Sequence, residues 1–246
     1  MEHAPRRRRQ SAVPLLMALS GAMVLAGCQG TGSTTSAPGS VSASDSTSVR
    51  NVVVIGDSMS TGFGTSATNA WPNLIATAPA DDSMPLEILN NAQNGSGYLN
   101  VGVTGTTFAW QVEQGVTPEA DLVVFFGSVN DLHHDPAELA AAIAEIYASA
   151  KERAPRATLL VVGPPAYSTP PGTPYLAVGD AIKQEARAAG AIHVDPMAQG
   201  WFVDDVDRLV GPDGLHPSVE GQHYLREKIE PLILEALRQR SGVAGP

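Results

Sequence analysis

The chain is poor in residues that several common functions require. Its 246 residues include a single cysteine, Cys28. One cysteine forms no internal disulfide and cannot build a Cys-rich zinc site. Basic residues are also scarce: 15 Lys and Arg stand against 25 Asp and Glu, a formal net charge of −10. A nucleic-acid partner calls for clustered cations, so this balance argues against that class and, more mildly, against an anionic membrane surface. Acidity of this size mainly keeps a protein soluble. No internal repeat is visible, and no His/carboxylate spacing marks a metal centre. The apolar run from Ala12 to Leu25 is short of the roughly 20 residues that a membrane span needs. What is present, 43% hydrophobic residues, suffices for the core of one α/β domain.

The position of the lone cysteine is informative. Arg6 to Arg9 are followed by the apolar run, then by Leu25-Ala26-Gly27-Cys28. A basic start, an apolar stretch and small residues before a cleavage point describe a secretory signal over residues 1–27. Leu-Ala-Gly-Cys resembles the bacterial lipobox, which implies cleavage before Cys28 and a lipid on that residue. The alternative is an ordinary signal peptide with an incidental cysteine. The arginine run leaves the general secretory and twin-arginine routes both open. Residues 28–49 are rich in Ser, Thr and Gly and nearly free of large apolar side chains. Such a segment cannot bury enough surface to fold and is expected to be a tether. The folded part is expected over residues 50–238, with 239–246 as a frayed tail. The plan is an exported, extracytoplasmic domain on a lipid anchor, monomeric by default.

Within the folded part, apolar runs recur at Val52–Ile55, Leu86–Leu89, Leu122–Phe126, Thr158–Val162 and Ile192–Val194. They are rich in Val, Ile and Leu, and several lack alternation, as strands covered on both faces do. Helical patterns lie between them. "WPNLIATA" has Pro72 near a helix start, where a missing N–H costs nothing. "DPAELAAAIAEIYASAKERA" places Asp135 as N-cap and Pro136 at the first helical position. "PYLAVGDAIKQEARAAG" ends on a glycine suited to a C-cap. "SVEGQHYLREKIEPLILEALRQR" reads as a long last helix disturbed at Pro231. Strands alternating with helices predict a three-layer α/β/α sandwich around a parallel sheet of about five strands.

In open sheets of this kind, sites lie beyond the C-terminal ends of the strands. Four motifs stand there. Gly56-Asp57-Ser58 follows the first strand; Ser58 is either an exposed nucleophile or merely the cap of the next helix. Asn90-Asn91-Ala92-Gln93-Asn94-Gly95-Ser96-Gly97-Tyr98 follows the second, and a Gly-rich turn brings backbone N–H groups close to a ligand. Gly127-Ser128-Val129-Asn130-Asp131 follows the third, where an asparagine amide can face a developing negative charge. Asp213-Gly214-Leu215-His216 precedes the last helix. An Asp three residues before a His can turn back to hold Nδ1–H and leave Nε2 to take a serine proton. Each motif has an ordinary reading as a turn or cap.

Taken in order, the four blocks resemble those of the SGNH (GDSL) hydrolases, over residues ~51 to ~238. The resemblance implies a flavodoxin-like fold and a serine hydrolase acting on carboxylic esters without a metal or other cofactor. It implies Ser58 as nucleophile, His216 as acid and base, and Asp213 as the residue orienting His216. It implies an oxyanion site built from the N–H of Ser58, the N–H of Gly95 and the amide of Asn130. The second block aligns on Gly95 or Gly97; Gly95, at the first turn after the strand, is preferred. Met59 stands where many relatives have Leu, a substitution of similar size.

His133, His134, His193 and His223 read as surface or structural residues, and Asp131 as a turn or cap residue. The Pro-rich segment 163–174 is expected to overhang the site. Trp201 and Phe202 read as packing residues, with pocket lining as the alternative. The leading function is hydrolysis of small esters. Alternatives are an envelope polysaccharide O-acetylesterase, a lipase or a transacylase with the same residues, and a silent binding lipoprotein on this fold.

Overall fold

The computed structural model describes residues 48–78, 84–127 and 129–240. The expectations for the signal segment, Cys28 and nearly all of the tether lie outside the described residues, as does Ser128. Among the described residues five strands form: β1 (Arg50–Gly56), β2 (Leu86–Asn90), β3 (Leu122–Phe126), β4 (Thr158–Val162) and β5 (Ile192–Val194). They make one sheet in the order β2-β1-β3-β4-β5, with every pairing parallel. The alternation of apolar runs with helical patterns therefore produces the three-layer fold that the sequence implies. The edge strand β2 departs from the fully buried pattern. Only one side of it meets a neighbouring strand, and Glu87 and Leu89 are exposed.

Two apolar cores lie on the two faces of the sheet, because side chains alternate along each strand. On one face, Val52, Val54, Leu122, Val124, Phe126, Leu160 and Val162 pack with helices α2 (Trp71–Ala76) and α7 (Val219–Arg240) through Trp71, Ile75, Leu225, Ile229 and Ile233. On the other face, Val53, Ile55, Val123, Phe125, Leu159 and Val161 pack with α3 (Phe108–Gly115), α4 (Pro136–Arg153) and α5 (Thr173–Ala188). Phe125 and Phe126 are fully buried on opposite faces. Burying such a side chain stabilises the fold by about 1.5–3 kcal/mol.

The helix ends follow their residues. Asp135 caps α4 by accepting from Ala137 N and Glu138 N. Gly190, at φ 68°, takes the left-handed position beyond α5. Helix α3 has no counterpart among the sequence expectations, because its apolar pattern is short. Helix α7 runs through Pro231 as one element, so the expected disturbance does not interrupt it. Leu225, Ile229, Ile233 and Leu237 hold it to the sheet on both sides of the proline. That burial outweighs the roughly 3 kcal/mol cost of an internal proline. The helix ends at Arg240, as its sequence pattern does, and there Arg240 pairs with Asp121 and donates to Arg156 O.

The strand order reverses direction at β1: the chain moves to β2 on one side and to β3 on the other. Such a switch point leaves a crevice beyond the carboxyl ends of the central strands. The register sets the ends of β1 and β3 level, with Gly56 opposite Phe126, while β2 ends two residues earlier, opposite Val54.

Candidate active site

The turn after β1 decides the status of Ser58. A Cβ on Gly56 would lie 2.9 Å from Ser60 Oγ and 3.3 Å from Phe126 O, so the close approach requires glycine. Asp57 is the N-cap of the short helix α1 (Ser58–Thr61), with Oδ1 accepting from Met59 N at 2.9 Å. Capping is therefore done by Asp57, and the hydroxyl of Ser58 is left for another partner. That partner is His216, whose Nε2 lies 2.9 Å from Ser58 Oγ.

His216 is oriented from behind. Asp213 Oδ1 accepts from Leu215 N and His216 N, both at 3.0 Å. Its Oδ2 lies 2.6 Å from His216 Nδ1. The hydrogen bond from the imidazole, then those from the two backbone N–H groups, hold the Asp213 carboxyl down at about 2. An ionised carboxylate only accepts, so Nδ1 carries the proton and Nε2 is the acceptor of the serine O–H. The loop itself is closed by Gly211 N donating to His216 O at 2.7 Å and by the bridge between Val210 and Pro217. The Phe63 ring rests on His216 with centroids 4.5 Å apart.

The glycine block and Asn130 are drawn to the same place. Thr61 Oγ1 donates to Asn94 Oδ1 at 2.5 Å, tying the loop after β2 to α1. Asn130 Nδ2 donates to Ser96 O at 2.9 Å and to Asp57 Oδ2 at 3.2 Å. Gly95 has φ 75°, a backbone conformation that favours glycine. Asn94 O accepts from Val103 N at 3.1 Å, which turns the Gly95 N–H to the opposite side of that trans peptide. Among the described residues, none accepts from the N–H of Ser58 or of Gly95. Gly97 differs: its N–H donates to Asn100 O at 2.9 Å. Geometry therefore favours Gly95 over Gly97 as an open donor.

Several residues around the site escaped the sequence reading. Gln111, fully buried, joins its amide to both Gly56 N and Gly56 O at 2.9 Å, acting like a short piece of strand at the end of β1. Its signal was a glutamine on the buried face of a short helix. Asp131 sits in the turn after β3, as expected, but its side chain reaches beyond that turn. It accepts from the backbone N–H of Tyr98, Leu99 and Asn100. The Pro-rich segment reaches the site through Tyr167, whose O–H donates to Leu215 O at 2.6 Å. Trp201 and Phe202 are buried in the core, so packing is their role. Phe202 sits between Tyr167 and Tyr224, with both ring centroids at 5.3 Å. That packing holds it at φ 69°, which is uncommon for a bulky residue. His133 and His223 are exposed, and His134 and His193 are half-buried.

A parallel α/β sheet with a hydrogen-bonded Ser-His-Asp chain beyond its strand ends is an arrangement suited to hydrolysis. Comparison with known proteins makes the class specific. The model of the GDSL-like lipase/acylhydrolase family matches residues 54–224. A GDSL lipase of Mycobacterium tuberculosis is 39% identical over 187 residues, covering 74% of this chain and 80% of that protein. The crystal structure of TesA superposes with a TM-score of 0.61 at 22% identity, over 76% of this chain and 99% of that one. A psychrotrophic esterase from Pseudoalteromonas, solved with monoethylphosphonate as inhibitor, gives 0.59 at 16% identity, over 77% and 99%. These two solved structures are alike in fold. The chain belongs to the GDSL-like lipase/acylhydrolase family and is an SGNH-type esterase.

Proposed function

We propose that this esterase cleaves carboxylic esters through an acyl-enzyme on Ser58. The observation that carries the reading is the unbroken chain Asp213 Oδ2–His216 Nδ1 at 2.6 Å and His216 Nε2–Ser58 Oγ at 2.9 Å. As Ser58 Oγ attacks the acyl carbon, its proton passes to Nε2. Asp213 stabilises the imidazolium that forms, and Nε2–H then protonates the leaving alcohol. The negative oxygen of the tetrahedral intermediate takes the open N–H groups of Ser58 and Gly95. Asn130 supplies a third donor by giving up its longer contact, the one to Asp57. Losing one such donor costs about 3–4 kcal/mol in barrier. Water repeats the sequence on the acyl-enzyme, with His216 as base.

The rim of the site favours an ester with an apolar group over an acetylated polysaccharide. Phe63 stands against His216 and is 47% exposed, Leu215 is 39% exposed, and Val103, beside Gly95, is 82% exposed. Export and a lipid anchor at Cys28 complete the proposal; the lipobox-like segment supports both. The test is Ser58→Ala against p-nitrophenyl butyrate and acetate. The wild type turns over both and prefers butyrate, and the variant is inactive while keeping its fold. Activity retained by the variant removes Ser58 as nucleophile.

A further inference from the structure

Asp131 follows Asn130 directly in the turn after β3 and has no exposed surface. Its carboxylate is aimed away from its own turn, into the loop after β2. Oδ2 accepts from Tyr98 N at 2.8 Å, and Oδ1 accepts from Leu99 N at 3.0 Å and Asn100 N at 2.8 Å. Three successive backbone N–H groups converging on one carboxylate make a strong, charge-assisted clamp. The clamp is close enough that a Cβ on Gly97 would lie 2.5 Å from both carboxylate oxygens. Gly97 is thus explained by Asp131 rather than by contact with substrate.

The clamp reaches Gly95. Asn100, held by Asp131, donates from Nδ2 to Gly95 O at 2.6 Å and accepts from Gly97 N at 2.9 Å. Val103 N holds Asn94 O from the other side at 3.1 Å. The Gly95 N–H lies between these two gripped carbonyls. We infer that Asp131 is a positioning residue for the oxyanion site, fixing the Gly95 N–H in the frame of Asn130. Adjacent residues then serve two donors: Asn130 offers its own amide, and Asp131 aligns the backbone of the glycine loop. The inference rests on the reading of Ser58, His216, Asp213 and Gly95 given above.

The test uses Asp131→Asn, which keeps the size but turns an acceptor into an N–H₂ facing a backbone N–H. Asn100→Ala leaves Asp131 intact, releases Gly95 O and lies in a half-buried loop position. For each, kcat and KM for p-nitrophenyl butyrate are measured per active site titrated with a fluorophosphonate, together with the rate of phosphonylation. Asp131→Asn is expected to lower kcat roughly 10- to 100-fold, with KM within about 2-fold and phosphonylation slowed in parallel. Asn100→Ala is expected to move the same way by less, and it decides the matter if Asp131→Asn does not fold. Lower thermal stability with wild-type kcat per active site, in a protein whose Ser58→Ala variant is inactive, overturns the positioning role and leaves Ser58 in place. An active Ser58→Ala variant removes the site reading itself, and the inference with it.

Discussion

At the scale of the residue, the site depends on Asp57 capping a helix so that Ser58 need not. Asp57 Oδ1 takes Met59 N, and Ser58 Oγ is left facing His216. Asp213 carries the tautomer. Asp213→Asn presents an N–H₂ to Nδ1, moves the proton to Nε2 and leaves Ser58 without a base. A loss in kcat of roughly ten-thousandfold is expected, with little change in KM, measured on p-nitrophenyl butyrate. The acid side follows from the same contacts. The Asp213 carboxyl sits at about 2, below its ordinary 3.8. Its contribution to stability is therefore full above about 3.8 and is lost as pH falls through about 2. Unfolding followed between pH 5 and 2 in wild type and Asp213→Asn should show the difference between them shrinking toward the acid end. The candidates Ser58, Asp213 and His216 were legible because the four short motifs, taken in order, resemble one family, and because Asp213 reaches His216 within three residues; the Ser58–His216 contact itself spans 158 residues. Asp131 and Gln111 were not, since their partners are 33 and 55 residues away and only the sheet brings them together.

At the scale of the element, glutamine side chains finish what the backbone leaves open. Helix α2 begins after Ala70, which has no capping side chain. Gln222, on α7 and fully buried, supplies one by accepting from Trp71 N at 2.9 Å while donating to Met59 O at 3.2 Å. Gln222→Leu leaves two buried backbone groups without partners. It is expected to lower unfolding free energy by about 1–3 kcal/mol in urea titration; an unchanged midpoint would contradict the capping role. The strands were readable as Val-, Ile- and Leu-rich runs, and α4 was readable from Asp135-Pro136. Helix α3 was not, because Phe108 and Val112 alone form too short an apolar stripe over its eight residues. Pro231 misled for a related reason: the local cost is visible in sequence, and the sheet contacts of Ile229 and Ile233 that offset it are not.

At the scale of the molecule, the parallel sheet separates the start of the domain from its candidate site. β1 begins at Arg50 and delivers Ser58 at its other end, about 20 Å away at the rise of a strand. A chain anchored through Cys28 would enter the domain at the end away from the site. On this proposal Cys28→Ser shifts the protein from the membrane to the soluble fraction of cells while kcat/KM on p-nitrophenyl butyrate stays within about 2-fold. Membrane retention of that variant would remove the anchor. One serine, at the switch point of the sheet, is proposed to carry the acyl group. The most direct measurement of this is labelling of the wild-type protein with a fluorophosphonate, followed by peptide mass spectrometry. A single adduct on Ser58, lost in His216→Ala, is expected. An adduct on another residue, or none in a protein that still hydrolyses p-nitrophenyl butyrate, would contradict it.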